Sequence, residues 1–172
     1  MGPSWFVPSI VAAVCAFALA APPAAAHQPV DLTSNDTTPQ EGPLLVDGTV
    51  SFAVYTDISR GDRRGFRFNL ETGDAMSVQL LILDSPPGNR LPGSKLPRVT
   101  ITDPSGRKTR MLINERTEFY EPYGGNTYFY LSRIEEEAEA GTYQVRISGR
   151  SKRSVKAVVS VGTREVPGEV RR

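Results

Sequence analysis

The side chains that could carry chemistry are few. Histidine occurs once, at His27, and cysteine once, at Cys15. A Ser-His-Asp or Cys-His site needs a positioned imidazole. A zinc site of the usual kind draws on several Cys and His ligands. One residue of each, with Cys15 inside an N-terminal apolar run, assembles neither. No Gly-rich phosphate loop precedes a helical pattern, so nucleotide binding has no basis either. The expectation is a protein that is not an enzyme and holds no resident cofactor.

Carboxylates are the next group. Glu135, Glu136 and Glu137 are adjacent and cannot all face one site, so they read as a solvated acidic edge. Calcium is the use of carboxylates that remains. Asp57, Asp62 and Asp74 fall in loops that could meet at one end of a β-sandwich, and they are the calcium candidates. There is no D-x-D-x-D-G loop, and three carboxylates fall short of the six or more oxygens calcium takes.

Aromatic residues are the stronger binding candidates. Phe119, Tyr120, Tyr123, Tyr128, Phe129 and Tyr130 lie close together in the chain. A tyrosine can stack on the apolar face of a sugar or anchor a protein partner while its hydroxyl stays wet. Tyr120, Tyr123, Tyr128 and Tyr130 are therefore the candidate ligand-binding residues, and Tyr120, Tyr123 and Tyr130 on one open surface would identify a site. In an extended chain Tyr128 and Tyr130 share one face, and Phe129 and Leu131 the other. The competing reading is that Tyr128 and Tyr130 pack in the core. Arg150, Lys152 and Arg153 read as a solvated basic loop.

The elements that position these residues read as strands. Gly141 to Gly149, GTYQVRISG, sets Tyr143, Val145 and Ile147 on one side and Thr142, Gln144, Arg146 and Ser148 on the other. That is a strand with one buried and one wet face. Val50–Val54, Phe66–Leu70, Met76–Ile82, Val99–Ile101, Arg110–Ile113, Phe119–Tyr120, Thr127–Ile134 and Ala157–Val161 repeat the pattern. Asp84 to Pro97 is a long Pro/Gly loop, and EEEAEA over Glu135–Ala140 reads as one helical turn or a loop. Many short strands separated by turns point to an all-β antiparallel β-sandwich.

The chain divides into residues 1–26, 27–44, 45–162 and 163–172. The first is expected to be a signal peptide: an apolar run from Ile10 to Ala21, a Pro22–Pro23 break, and an A-x-A site before His27. The second is a polar leader with Pro29, Pro39 and Pro43, expected to be flexible or loosely draped. The third is the sandwich and the fourth a polar tail. Once the signal is removed no cysteine and no membrane span remain, which suits a bacterial protein of the cell exterior. A formal net charge of +1 implies no bulk attraction to nucleic acid or to anionic membrane.

RFNLETGD, MSVQLLI, the ITDPSG strand and turn, and the late GTYQVRISG together resemble the bacterial pre-peptidase C-terminal domain, over roughly Asp47 to Val161. The resemblance implies a jelly-roll-like sandwich of two antiparallel sheets. Members are mostly accessory modules of secreted peptidases, trimmed during maturation or used to hold polymeric substrates. No peptidase is present here, so a free-standing module is expected. The functional expectation is a secreted or cell-envelope, non-catalytic module that binds an extracellular polysaccharide or protein partner, and not nucleic acid. The alternative is a structural or inhibitory envelope protein without a ligand pocket.

Overall fold

The computed structural model describes Gly2 and residues 27–172, so the expected signal peptide lies almost entirely outside the described residues. Among the described residues twelve strands form: β1 (Gln28–Asp31), β2 (Leu44–Leu45), β3 (Phe52–Ile58), β4 (Arg63–Leu70), β5 (Ala75–Leu83), β6 (Arg98–Thr102), β7 (Lys108–Arg110), β8 (Thr117–Glu121), β9 (Asn126–Glu137), β10 (Gly141–Ser148), β11 (Val155–Val161) and β12 (Val170–Arg171). Two six-stranded sheets result. The first runs β1-β3-β11-β5-β9-β8 and the second β12-β2-β4-β10-β6-β7.

The pairings show how the sandwich is rolled. β3 pairs with β11, β4 with β10, β5 with β9 and β6 with β7, all antiparallel. The chain therefore pairs as one long nested hairpin whose successive rungs fall in alternate sheets, which is the jelly-roll plan. β8 is an added edge strand beside β9. The expected all-β sandwich is present, with one correction. The sheets are mixed, because β1 pairs parallel with β3 and β2 parallel with β4.

β1 lies in the stretch expected to be a flexible leader, and β2 begins at that stretch's last residue, Leu44. The backbone of this stretch finds partners throughout. The Gly65 amide donates to Asp36 O at 2.8 Å, and the Arg67 amide donates to Pro43 O at 2.9 Å. Leu45 is fully buried. The C-terminal tail returns as β12 along β2. Main-chain pairing of this kind leaves no mark in side-chain periodicity.

Two further expectations are corrected. Glu135–Glu137 is neither helical turn nor loop but the end of β9, opposite Ala75, Met76 and Ser77. Ala138 follows, buried in the core. The strand expected over Arg110–Ile113 lies earlier, at Lys108–Arg110. The Asp84–Pro97 loop is ordered around two 3-10 turns, Gly88–Arg90 and Gly93–Lys95. Arg116 pins it by donating to Asn89 O and Leu91 O, and Leu96 enters the core.

β10 sits centrally in the second sheet, between β4 and β6. Tyr143, Val145 and Ile147 are buried and Arg146 is exposed, as the alternation of GTYQVRISG predicts. They meet Phe52, Phe66, Phe68, Leu80 and Ile82 between the sheets. Among the described residues no helix is long and apolar enough to cross a membrane.

Candidate functional site

A sandwich buries one face of each sheet and usually leaves the other polar. The first sheet departs from this. Register places Ala53 and Tyr55 of β3, Val158 of β11, Leu81 and Leu83 of β5, Tyr128 and Tyr130 of β9, and Phe119 of β8 together on its outer face. They form an apolar cluster separate from the main core. Ala53, Leu81, Tyr128 and Val158 are buried, and among the described residues the partly buried Tyr55, Leu83, Phe119 and Tyr130 pack against them. The larger rings beside them supply the shelter.

Phe119 and Tyr130 pack at a 45° tilt with ring centroids 5.3 Å apart. Arg133 lies across the other side of Tyr130, its guanidinium carbon 3.9 Å from the ring centroid, and is fixed by an ion pair to Glu115 at 3.2 Å. Burial pushes the Tyr55 hydroxyl up to about 12, and the Tyr128 hydroxyl beside it adds to the shift. Burial also raises Tyr128 and Tyr130. All three are thus neutral phenols at physiological pH, able to donate and accept hydrogen bonds.

The shelf opens at one end into a depression of about 490 Å³ between Tyr55 and Tyr128, edged by Asp31, Asp57, Asn126 and Lys156. That is within the range of small-ligand sites. At the other end the edge is His27, Gln79, Glu121 and Ser160. His27 packs with Nδ1 against the Ser51 hydroxyl, and burial lowers its pKa. An aromatic floor with hydroxyl, amide and carboxylate groups at its rim can stack a ring and bond its substituents.

The four tyrosines proposed from sequence do not stay together. Tyr128 and Tyr130 are on the shelf. Tyr120 pairs with Thr127, one residue out of phase with Phe119 and Tyr128, and so points to the opposite face. It is 59% exposed there. Tyr123 lies beyond β8 in the turn to β9 and is 79% exposed. Glu121 shapes that turn by accepting the Tyr123 and Gly124 amides, each at 2.6 Å. The single surface expected for Tyr120, Tyr123 and Tyr130 therefore does not form. Tyr55, Leu81 and Val158 were missed. Their signal was available, since QLLIL and AVVSV are apolar on both faces of their strands.

The calcium candidates are not brought together. Asp57 faces outward beside Lys156. Asp62 and Asp74 stand at opposite ends of β4, an eight-residue strand and so about 25 Å long. Each is occupied locally: Asp62 accepts the Ser59 amide and Asp74 the Glu71 amide, both at 2.8 Å. Among the described residues no group of three or more metal-binding side chains gathers.

No protein-family model matches the chain, and no curated protein matches it. Among solved structures it is similar to CorA of Methylomicrobium album BG8, a surface-associated copper-binding protein important in that organism's copper acquisition. The match has 13% identity and a TM-score of 0.30, over 80% of this chain and 98% of that one.

Proposed function

We propose that this protein is a non-catalytic, pre-peptidase-like binding module of the cell exterior that holds an extracellular polysaccharide on the outer face of its first sheet. One observation carries the reading: the centre of that face is an aromatic cluster whose larger rings are only partly buried among the described residues. The polar rim favours a sugar polymer over an apolar protein segment. Asp31 and Asn126 line one depression with Tyr55 and Tyr128, and Gln79 and Ser160 line another with Tyr128 and Tyr130, which supplies hydrogen-bonding groups beside the rings for a sugar's hydroxyls.

The test is co-sedimentation with a panel of insoluble polysaccharides. Tyr130→Ala and Phe119→Ala should each weaken binding several-fold, since an aromatic contact contributes about 0.5–1.5 kcal/mol beyond its area. Tyr120→Ala should bind as the parent does. Equal loss in all three variants, or no retention of the parent on any polymer, would remove the shelf from consideration.

A further inference from the structure

The second sheet turns a face of opposite chemistry to solvent. Its six strands contain eight Lys or Arg and no Asp or Glu. The strands of the first sheet contain seven Asp or Glu and two Lys or Arg. A net charge of +1 for the whole chain therefore conceals two sheets of opposite sign.

Register concentrates the cations. Ser148 lies between Arg63 and Arg98, Arg146 is opposite Thr100, Thr100 is opposite Arg110, and Thr102 is opposite Lys108. Val99, Ile101, Val145 and Ile147 alternate with these and are buried, so the cations face outward. Strands are about 4.8 Å apart and alternate residues about 6.7 Å, which sets Arg98, Arg110 and Arg146 about 8–10 Å from one another at the backbone. That is close to one screening length at physiological salt, about 8 Å.

Arg63, Arg98, Lys108, Arg110 and Arg146 are all exposed, and none takes part in an ion pair among the described residues. Arg110 and Arg150 crowd Arg98 enough to lower its pKa. The 36–43 segment bounds the face on the β4 side, where Gly42 O accepts from Arg67 and Gln40 bonds Gln144. What stays open is a flat cationic field over β10, β6 and β7.

We propose that this field, centred on Arg98, Arg110 and Arg146, binds a linear anionic polysaccharide bearing carboxylate, sulfate or phosphate-ester groups. Charge complementarity defines the ligand, and the residues between the cations define its class. Thr100, Thr102, Gln144 and Ser148 bond sugar hydroxyls. The outer face of these three strands carries no aromatic ring on which a nucleobase would stack. At its border Leu112 is exposed beside Arg98 and Arg110, and one such side chain is too little apolar surface to seat the face in a bilayer. The field lies on the other sheet from the aromatic shelf, so either surface can fail without the other.

The experiment is affinity electrophoresis of the protein in gels containing polygalacturonate (carboxylate), dextran sulfate (sulfate), a poly(glycerol phosphate)-bearing glycan or neutral dextran. The parent should be retarded by at least one anionic polymer and not by dextran, with affinity falling as salt rises. R98A/R110A/R146A should lose more than about tenfold, with an unchanged thermal midpoint, because three charge contacts are removed from exposed sites. R98K/R110K/R146K should keep most of the retardation. R90A/R164A/R171A, which removes the same charge away from both surfaces, should stay within about twofold of the parent. Three results would overturn the proposal: no retardation by any anionic polymer at low salt, equal loss in the R90A/R164A/R171A variant, or tighter binding to duplex DNA or phosphatidylserine vesicles than to the polysaccharides.

Discussion

Arg133 lies over the ring of Tyr130, three residues before it in the same strand, and a strictly alternating strand could not place it there. A bulge makes it so. Opposite Leu80 and Leu81, β9 supplies Ser132 and Tyr130, and Leu131 is the extra residue, turned fully into the core. Beyond that point the phase of β9 is reversed: Arg133 faces outward opposite Gln79, and Ile134 faces the core opposite Val78. Arg133→Ala should cost about 0.5–1 kcal/mol in urea unfolding, as exposed cation–π pairs do. It should also raise the Tyr130 pKa further, because Arg133 favours the phenolate. A spectrophotometric titration of the phenols reads this directly. An unchanged Tyr130 transition would mean that the guanidinium does not lie over the ring in solution.

Tyr143 belongs to stability. Its ring stacks on Phe68 at 5.1 Å and 7°, and it is 3% exposed. Its hydroxyl donates to Glu139 O at 3.2 Å and accepts the Glu139 amide at 3.0 Å. Tyr143→Ala should cost about 3–5 kcal/mol, as other buried aromatic truncations do. Tyr143→Phe should cost about 1–2 kcal/mol by leaving the Glu139 groups unpaired. Tyr123→Ala should stay within about 0.5 kcal/mol of the parent. Chemical denaturation of the three variants beside the parent checks the order. A parental midpoint for Tyr143→Ala would mean that core and surface have been exchanged.

Side-chain alternation made β10 legible, because one face of it is wet and the other dry. The same rule failed on TYFYLSRI. A bulge is a backbone event, and nothing in the residue types marks Leu131 as the inserted position. Tyr120 was misplaced for a related reason. Its phase depends on pairing with Thr127, which a five-residue strand does not announce. Val158 and Leu81 were legible in principle, as apolar residues at positions that alternation assigns to water. The cationic field was legible only in pieces. Its strands are scattered along the chain, and their like charges add up only once the strand order is known.

Alkaline stability should report on the shelf. The folded protein holds the Tyr55 proton up to about 12, against an ordinary value of 10.0. The unfolded chain gives that proton up near 10, so this stabilisation is complete below pH 10 and is lost as pH rises toward 12. Tyr128 and Tyr130 shift in the same direction. The thermal midpoint should fall through this window, and less steeply for Tyr55→Phe. Parallel curves for the two proteins would place Tyr55 in water.

Acid should act through the ITDPSG turn. Asp103 accepts Arg107 Nε at 2.8 Å, the Ser105 hydroxyl at 2.7 Å and the Arg107 amide at 2.9 Å. These bonds, that from the Arg107 guanidinium first, hold its carboxyl at about 2 instead of 3.8. Its contribution is present above pH 3.8 and disappears as pH falls through 2. Asp103→Asn should therefore unfold at lower urea than the parent at neutral pH, with the two midpoints converging near pH 2. A gap that persists in acid would assign the loss to the turn's shape and not to its charge.

Sequence alone leaves the 36–43 segment unstructured, yet it lies against β4. Gly65 is buried on β4, and a Cβ there would lie 2.3 Å from Pro39 N and 2.5 Å from Thr38 C. A Cβ on Gly42 would lie 1.8 Å from Gly65 O. Both contacts are with backbone, which cannot swing aside as a side-chain tip can. The two glycines are what let the 36–43 segment lie directly against the sheet. Gly65→Ala should push that segment off β4, cost about 1–3 kcal/mol as overpacking does, and break the bond from the residue-65 amide to Asp36 O. Limited proteolysis should then cut within residues 36–43, a stretch expected to resist cleavage in the parent. Amide exchange at residue 65 should accelerate to match. If Gly65→Ala keeps the parental midpoint and the segment still resists protease, the 36–43 stretch does not pack on β4 in solution, and the field of cations beside it extends to Arg67.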